Sequence, residues 1–212
     1  MPTITSIKQQ KNKRSLARQE PGKDRVNVYL DGKFAFGIDL MNFVQLHLRV
    51  GQELSEREVA EIVKKAEFQK ILDKLLRFAM VRPRSEKEIN DYLKRKKVHE
   101  SLHRALFHKL KHFELLDDEK FAKWWVEQRQ AFKPKSLRVL KQELELKGID
   151  KEVIERVLKE TKIDEEELAR ELLAKKAYKW ERLEPRVARQ KKSQYLAGKG
   201  FSWEVIEKVT SK

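Results

Sequence analysis

The sequence predicts a mainly α protein: three tandem three-helix, helix-turn-helix-like repeats behind a small N-terminal extension that contains a β-hairpin. Three observations lead there. Of 212 residues, 39% are charged and only 7 are glycine and 5 proline, a balance that favours helices with solvated charged faces. One pattern of apolar and glycine positions recurs at a fixed offset. Finally, two alternating β-prone runs near the N-terminus flank an Asp-Gly pair.

The extension comes first. Thr3–Lys8 reads as a short strand, and Lys8–Arg25, basic, polar and broken by Pro21-Gly22, as a loop or flexible connection. Arg25–Leu30 and Lys33–Ile38 alternate around Asp31-Gly32. That pair suits a two-residue type I′ turn, in which both central residues take positive φ. Leu40–Leu48 reads as a short helix and Val50-Gly51-Gln52 as a turn. Ser55 with Glu58 forms a capping-box pattern that opens a helix through Val59, Ile62 and Val63. A hairpin of this size is marginal alone and needs a helix to pack on.

From about residue 67 the pattern is helical and it repeats. With Ser85–Leu106, Ser136–Val157 and Ala188–Val209 aligned, Leu93, Leu144 and Leu196 coincide. So do Lys97, Gly148 and Gly200, each followed by an apolar residue. The apolar pairs Leu102/Leu106, Val153/Val157 and Val205/Val209 coincide as well. Apolar and glycine positions recurring three times at a fixed offset mark a structural repeat. Each unit reads as a longer first helix (Phe68–Met80, Asp118–Ala131, Glu165–Trp180), a second helix and a short third one. The second helix ends, in units two and three, at a glycine suited to the left-handed C′ position. The third starts at Asp150 or Ser202 as N-cap. The expected segments are 1–66 for the extension, then 67–116, 117–162 and 163–212 for the repeats. Unit three fits least closely, with Lys192 where Ile89 and Leu140 stand, as suits a terminal repeat.

The composition excludes several chemistries. There is no cysteine, hence no disulfide, thiolate nucleophile or Cys-based metal site. No apolar run reaches the roughly 18 residues that span a bilayer, and the N-terminus lacks a signal-peptide core, so a cytoplasmic address without membrane partners is expected. Phosphate-binding glycine loops and the nucleophile-elbow pattern are missing, and no cofactor is implied. His99-Glu100-Ser101-Leu102-His103 matches H-E-x-x-H, a zinc-hydrolase pattern. The repeat argues otherwise: His99 aligns with the N-caps Asp150 and Ser202, His103 with Ile154 and Ile206. The expectation is a non-enzyme with no catalytic and no metal-binding residues.

Lys+Arg number 49 against 34 Asp+Glu, a net charge of +15, and each of the four segments is net positive. The natural partners are polyanions. Basic residues gather where the first helix of each unit passes to the second: Arg82 and Arg84, then Arg129, Lys133, Lys135 and Arg138, then Arg186 and Arg189. Lys94 and Arg95 end the second helix of unit one. These ten residues are the candidate partner- or DNA-binding set. Of the tryptophans, Trp124 and Trp125 are neighbours on one helix and point apart, one expected in the core, while Trp180 and Trp203 read as packing residues.

Leu75–Ile89, with Arg82-Pro83-Arg84-Ser85 at its centre, resembles the first-repeat signature of the RecX regulatory proteins. Leu116–Ala122, Lys133-Pro134-Lys135, Gln142-Glu143-Leu144 and Lys147-Gly148-Ile149 resemble the second repeat, and Tyr29–Gly37 is similar to an N-terminal extension that some members carry. One departure is Ser136, where members usually have glycine. The resemblance covers nearly the whole chain. It implies an elongated, curved, monomeric array that binds in the groove of the RecA–DNA filament. It further implies inhibition of RecA ATPase, strand exchange and filament extension, hence regulation of DNA repair and homologous recombination. Single- or double-stranded DNA would be contacted weakly or with the partner's help. The alternative is a stand-alone helical DNA-binding protein, marked by affinity with a steep salt dependence when RecA is absent.

Overall fold

The computed structural model describes residues 1–10 and 25–211. Most of the expected connection over Lys8–Arg25 therefore lies outside the described residues. The chain divides into two compact units, Met1–Arg77 and Phe78–Lys212.

In the first unit, β1 (Ile4–Gln9), β2 (Arg25–Leu30) and β3 (Lys33–Asp39) form an antiparallel sheet in the order β1-β2-β3. Asp31 and Gly32 have φ of 48° and 79°, as the type I′ turn demands. Alternation buries Val26, Val28, Phe36 and Ile38 on one face. That face packs with Leu48, Leu54, Ile62 and Ala66. α1 (Leu40–Gln45) starts at Asp39, whose carboxylate accepts the Asn42 N–H at 2.9 Å. Ser55 and Glu58 make the reciprocal box: the Glu58 N–H donates to Ser55 Oγ at 3.3 Å and the Ser55 N–H to Glu58 Oε2 at 2.7 Å.

The helix opened by that box differs from expectation. α2 runs unbroken over Glu56–Met80, joining two segments read separately from the sequence. Lys64-Lys65-Ala66-Glu67 contains only good helix formers and no glycine or proline, so nothing interrupts it.

The second unit carries α3 (Glu86–Arg95), a 3-10 turn at Glu100–Leu102, α4 (His103–His112), α5 (Asp118–Phe132), α6 (Leu137–Leu146) and α7 (Lys151–Glu160). They are followed by α8 (Glu165–Ala174), a 3-10 turn at Ala177–Lys179, α9 (Pro185–Gly198) and α10 (Trp203–Thr210). α5 packs on α6 and α7, and α10 on α8 and α9. The shared leucines Leu93, Leu144 and Leu196 are fully buried. Phe121, Val126, Leu140, Ile154 and Val157 build one core around Leu144. Ala169, Leu172, Trp180, Phe201 and Ile206 build the next. Asp150 and Ser202 cap the third helices as expected.

Three details depart from the sequence reading. The first helix of unit three stops at Ala174, and the chain tightens into a 3-10 turn that delivers Trp180 to the core. Trp203, expected to pack, is 69% exposed at the start of α10. Trp124 and Trp125 are both half-buried, so neither is the core residue expected of one of them.

Lys97, Gly148 and Gly200 all take the left-handed conformation, with φ of 54°, 78° and 90°. Lys97 alone bears a Cβ there. Lys97→Gly is expected to stabilise the protein by about 1 kcal/mol, read as a higher denaturation midpoint; no change would show that Lys97 is unstrained.

Candidate polyanion interface

Arg82, Arg84, Lys133, Lys135 and Arg138 lie where consecutive repeats meet, and the two junctions share one frame. At the first, Ser85 caps α3. Its Oγ accepts the Glu88 N–H at 3.2 Å and donates to the Lys147 carbonyl at 2.8 Å. The Glu86 N–H donates to Asp118 Oδ1 at 2.8 Å. At the second, Ser136 caps α6. Its Oγ accepts the Val139 N–H at 3.3 Å and donates to the Gly200 carbonyl at 2.7 Å. The Leu137 N–H donates to Glu165 Oε1 at 2.9 Å. Both serines are fully buried. Each therefore caps its own helix and ties it to the second helix of the next repeat, while the acid opening the next first helix takes a second free N–H.

Glycine permits the close approach. A Cβ on Gly148 would sit 2.8 Å from Lys87 Cβ, and one on Gly200 2.8 Å from Ser136 Oγ and against Val139 Cγ2. Ser136, where glycine is usual in the family it resembles, thus supplies a bond between repeats.

At the first junction one carboxylate draws three cations together. Glu88 accepts both guanidinium branches of Arg82 at 2.9 and 3.0 Å and the Lys147 ammonium at 2.6 Å. Arg84 Nη1 lies 3.9 Å away. Burial pushes the Glu88 pKa up, but the bonds and charges of Arg82 and Lys147 outweigh it and hold the carboxyl below its ordinary range. The spacing of Ser85 and Glu88 fits a capping box, but the Glu88 side chain turns to the cations instead, which offer far more to a half-buried carboxylate. Arg82 also stands over Trp124 at 5.4 Å, and Arg84 over Phe78 at 3.8 Å.

The remaining candidates sort by environment. Arg129 pairs with Glu143 at 2.6 Å and covers Trp125 at 4.5 Å, while the Trp125 Nε1–H donates to the same carboxylate at 2.9 Å. Arg138 donates to the Gly200 carbonyl at 3.2 Å. Lys133 is exposed and Lys135 half-buried beside Ser136. Their charges, with that of Lys176, act on Lys199. Lys94 and Arg95 are exposed at the end of α3, with Arg95 5.9 Å from the Tyr92 ring. Arg186 is exposed in the first turn of α9, and Arg189 donates to Ser211 Oγ at 3.2 Å. The structure thus gathers Arg82 with Arg84 and Lys133 with Lys135; no contact among the described residues joins Lys94, Arg95, Arg186 or Arg189 to them.

Sequence reasoning missed Glu88, Lys147, Lys176 and Lys199 as parts of these clusters. The repeat offset held the signal: it sets Lys199 opposite Lys147, and Lys133 and Lys135 opposite Arg82 and Arg84. The H-E-x-x-H residues serve locally. His99 Nδ1 accepts the Ser101 N–H at 3.3 Å as the N-cap, and His103 Nε2 donates to the Val98 carbonyl at 3.1 Å. No helix among the described residues is long and apolar enough to cross a membrane.

Comparison with known proteins places these features. Residues 2–55 match the regulatory protein RecX N-terminal domain, residues 117–158 the second RecX three-helix domain and residues 164–210 the third. Regulatory protein RecX of Bacillus licheniformis is 38% identical over 97% of this chain and 75% of its own length. That of Bacillus subtilis is 32% identical over the same shares. A crystal structure of regulatory protein RecX superposes with a TM-score of 0.69 at 28% identity, covering all of both chains. The structure of RecX from Lactobacillus salivarius gives 0.59 at 26%, over 68% of this chain and 95% of that one.

Proposed function

The chain belongs to the RecX family of regulatory proteins, and we propose that it docks in the groove of the RecA–DNA filament and inhibits RecA ATPase, strand exchange and filament extension. It acts by binding, as a cytoplasmic monomer, and needs no cofactor. The observation that carries the reading is the pairing of that membership with basic corners built at the repeat junctions, on a chain of net charge +15. Such corners are held by capping serines and packed helices. Their cations therefore meet an anionic surface without first ordering a loop, which is where preorganised binding gains affinity.

Arg82, Arg84 and Arg129 are largely engaged within the fold, so in this reading they shape the corners. Lys94, Arg95, Lys133, Lys135, Arg138, Arg186 and Arg189 supply the outward charge. Reversing Lys94, Arg95, Arg186 and Arg189 to glutamate is expected to weaken co-sedimentation with RecA filaments on single-stranded DNA by about tenfold or more at moderate salt. Stability should change little, since exposed charges contribute only about 0–1 kcal/mol each. Undiminished co-sedimentation would remove these residues from the docking surface.

A further inference from the structure

The two junctions share a frame but not a charge balance. Arg82, Arg84 and Lys147 at the first correspond to Lys133, Lys135 and Lys199 at the second. At the first, Glu88 pairs with all three and offsets one of their three charges. The residue in the place of Glu88 at the second is Val139, which lies against Gly200. Lys176 joins this group: its ammonium is 4.7 Å from the Tyr195 ring centroid, and that of Lys199 is 5.8 Å from the same ring. Among the described residues none of Lys133, Lys135, Lys176 and Lys199 is in an ion pair, although neighbours such as Lys175 and Lys141 are. Partial burial, together with the charges of Lys135, Lys176 and Lys133, holds the Lys199 ammonium below its ordinary range. Four cations thus neighbour the second junction; its Glu165 carboxylate accepts the Leu137 N–H at 2.9 Å, and none of the four lysines is paired with a carboxylate among the described residues.

We infer that the second junction takes its anion from outside: a backbone phosphate of single-stranded nucleic acid, seated among Lys133, Lys135, Lys176 and Lys199 in the place that Glu88 fills at the first. Two exposed aromatics select nucleic acid over an acidic protein segment. Phe132, next to Lys133, is 76% exposed, and Tyr178, two residues from Lys176, is 68% exposed. A strand whose phosphate sits on the lysines can stack bases on such rings, since every base has a π-face; a run of carboxylates has no use for them. The inference deepens the filament reading and rests on it for its setting, because the filament holds the DNA strand against which the junction would lie.

The test is fluorescence anisotropy of labelled oligothymidylate with the full chain, without RecA, across a range of salt. Replacing Lys133, Lys135 and Lys199 together by glutamine should weaken binding by about tenfold or more. It should also flatten the log–log salt slope by about 2, near 0.7 for each single-strand phosphate left without its lysine. Val139→Glu, which restores the internal carboxylate, should weaken binding severalfold. Lys141→Gln, outside the cluster and with its ammonium paired 3.4 Å from Glu155, should leave affinity within about twofold of wild type. Circular dichroism checks that each variant folds, and the glutamine triple stands alone if Val139→Glu does not. No binding by wild type, an unchanged affinity and slope in the triple variant, or tighter binding of polyglutamate than of oligothymidylate would overturn the inference. Measuring RecA ATPase with the same variants separates the two readings. If the triple loses its effect on RecA while still binding oligothymidylate, the junction docks on protein and only this inference fails. If wild type binds oligothymidylate through the cluster but leaves RecA untouched, the filament reading fails and this one stands.

Discussion

Gly200→Ala is expected to destabilise the protein by about 2–5 kcal/mol, the largest single effect foreseen for an uncharged substitution. Two costs combine. At φ 90° an L side chain is strained by about 1–2 kcal/mol. The new methyl would also press on Val139 Cγ2 and lie 2.8 Å from Ser136 Oγ, and overpacking of this kind costs about 1–3 kcal/mol. Neither neighbour yields easily: Ser136 is fully buried and bonded to the Gly200 carbonyl, and Val139 is β-branched and stiff at χ1. Gly51→Ala is the control. Gly51 has φ 87° but nothing within 4 Å of its would-be Cβ, so it should show only the backbone cost of about 1–2 kcal/mol. Urea denaturation of both variants separates the two contributions. Equal losses would mean that repeats two and three are not closely packed at this point.

Glu88→Gln is expected to cost about 2–3 kcal/mol at neutral pH. Three cations converge on this carboxylate, whose side chain is only 14% exposed. Breaking a buried pair costs about 3–5 kcal/mol, and Arg82 and Lys147, at 29% and 30% exposed, recover part of that in solvent. The pH dependence has a definite sign. The folded pKa of Glu88 lies below its ordinary value. Its stabilisation is therefore complete above the ordinary glutamate range and drains away as pH falls through the lower folded value. The gap between wild type and Glu88→Gln should close on acidification. A gap independent of pH would assign the effect to packing rather than charge.

The architecture was legible because each of its signals is local. Asp31-Gly32 specifies its turn through backbone conformation alone, Ser55 and Glu58 write a cap within four residues, and Leu93, Leu144 and Leu196 recur at the repeat offset. What the sequence hid depends on partners distant along the chain. Glu88 looks like half of a capping box until Lys147, 59 residues on, reaches it. Ser85 and Ser136 look like simple N-caps, yet each also bonds a carbonyl 62 or 64 residues away. Lys133 and Lys135 read as one basic loop, and only the junction shows that Lys176 and Lys199 act on the same space. The exposure of Trp203 and the early end of α8 escaped for a related reason: residue type says what packs well, not which surface a neighbouring element covers.

The most direct test of the account is a titration of the chain into RecA assembled on single-stranded DNA, reading ATP hydrolysis and strand exchange together. Both are predicted to fall in a saturable way, while the chain alone hydrolyses nothing. Hydrolysis and exchange unchanged at saturating protein would contradict the central claim that this chain regulates the recombinase filament by docking on it.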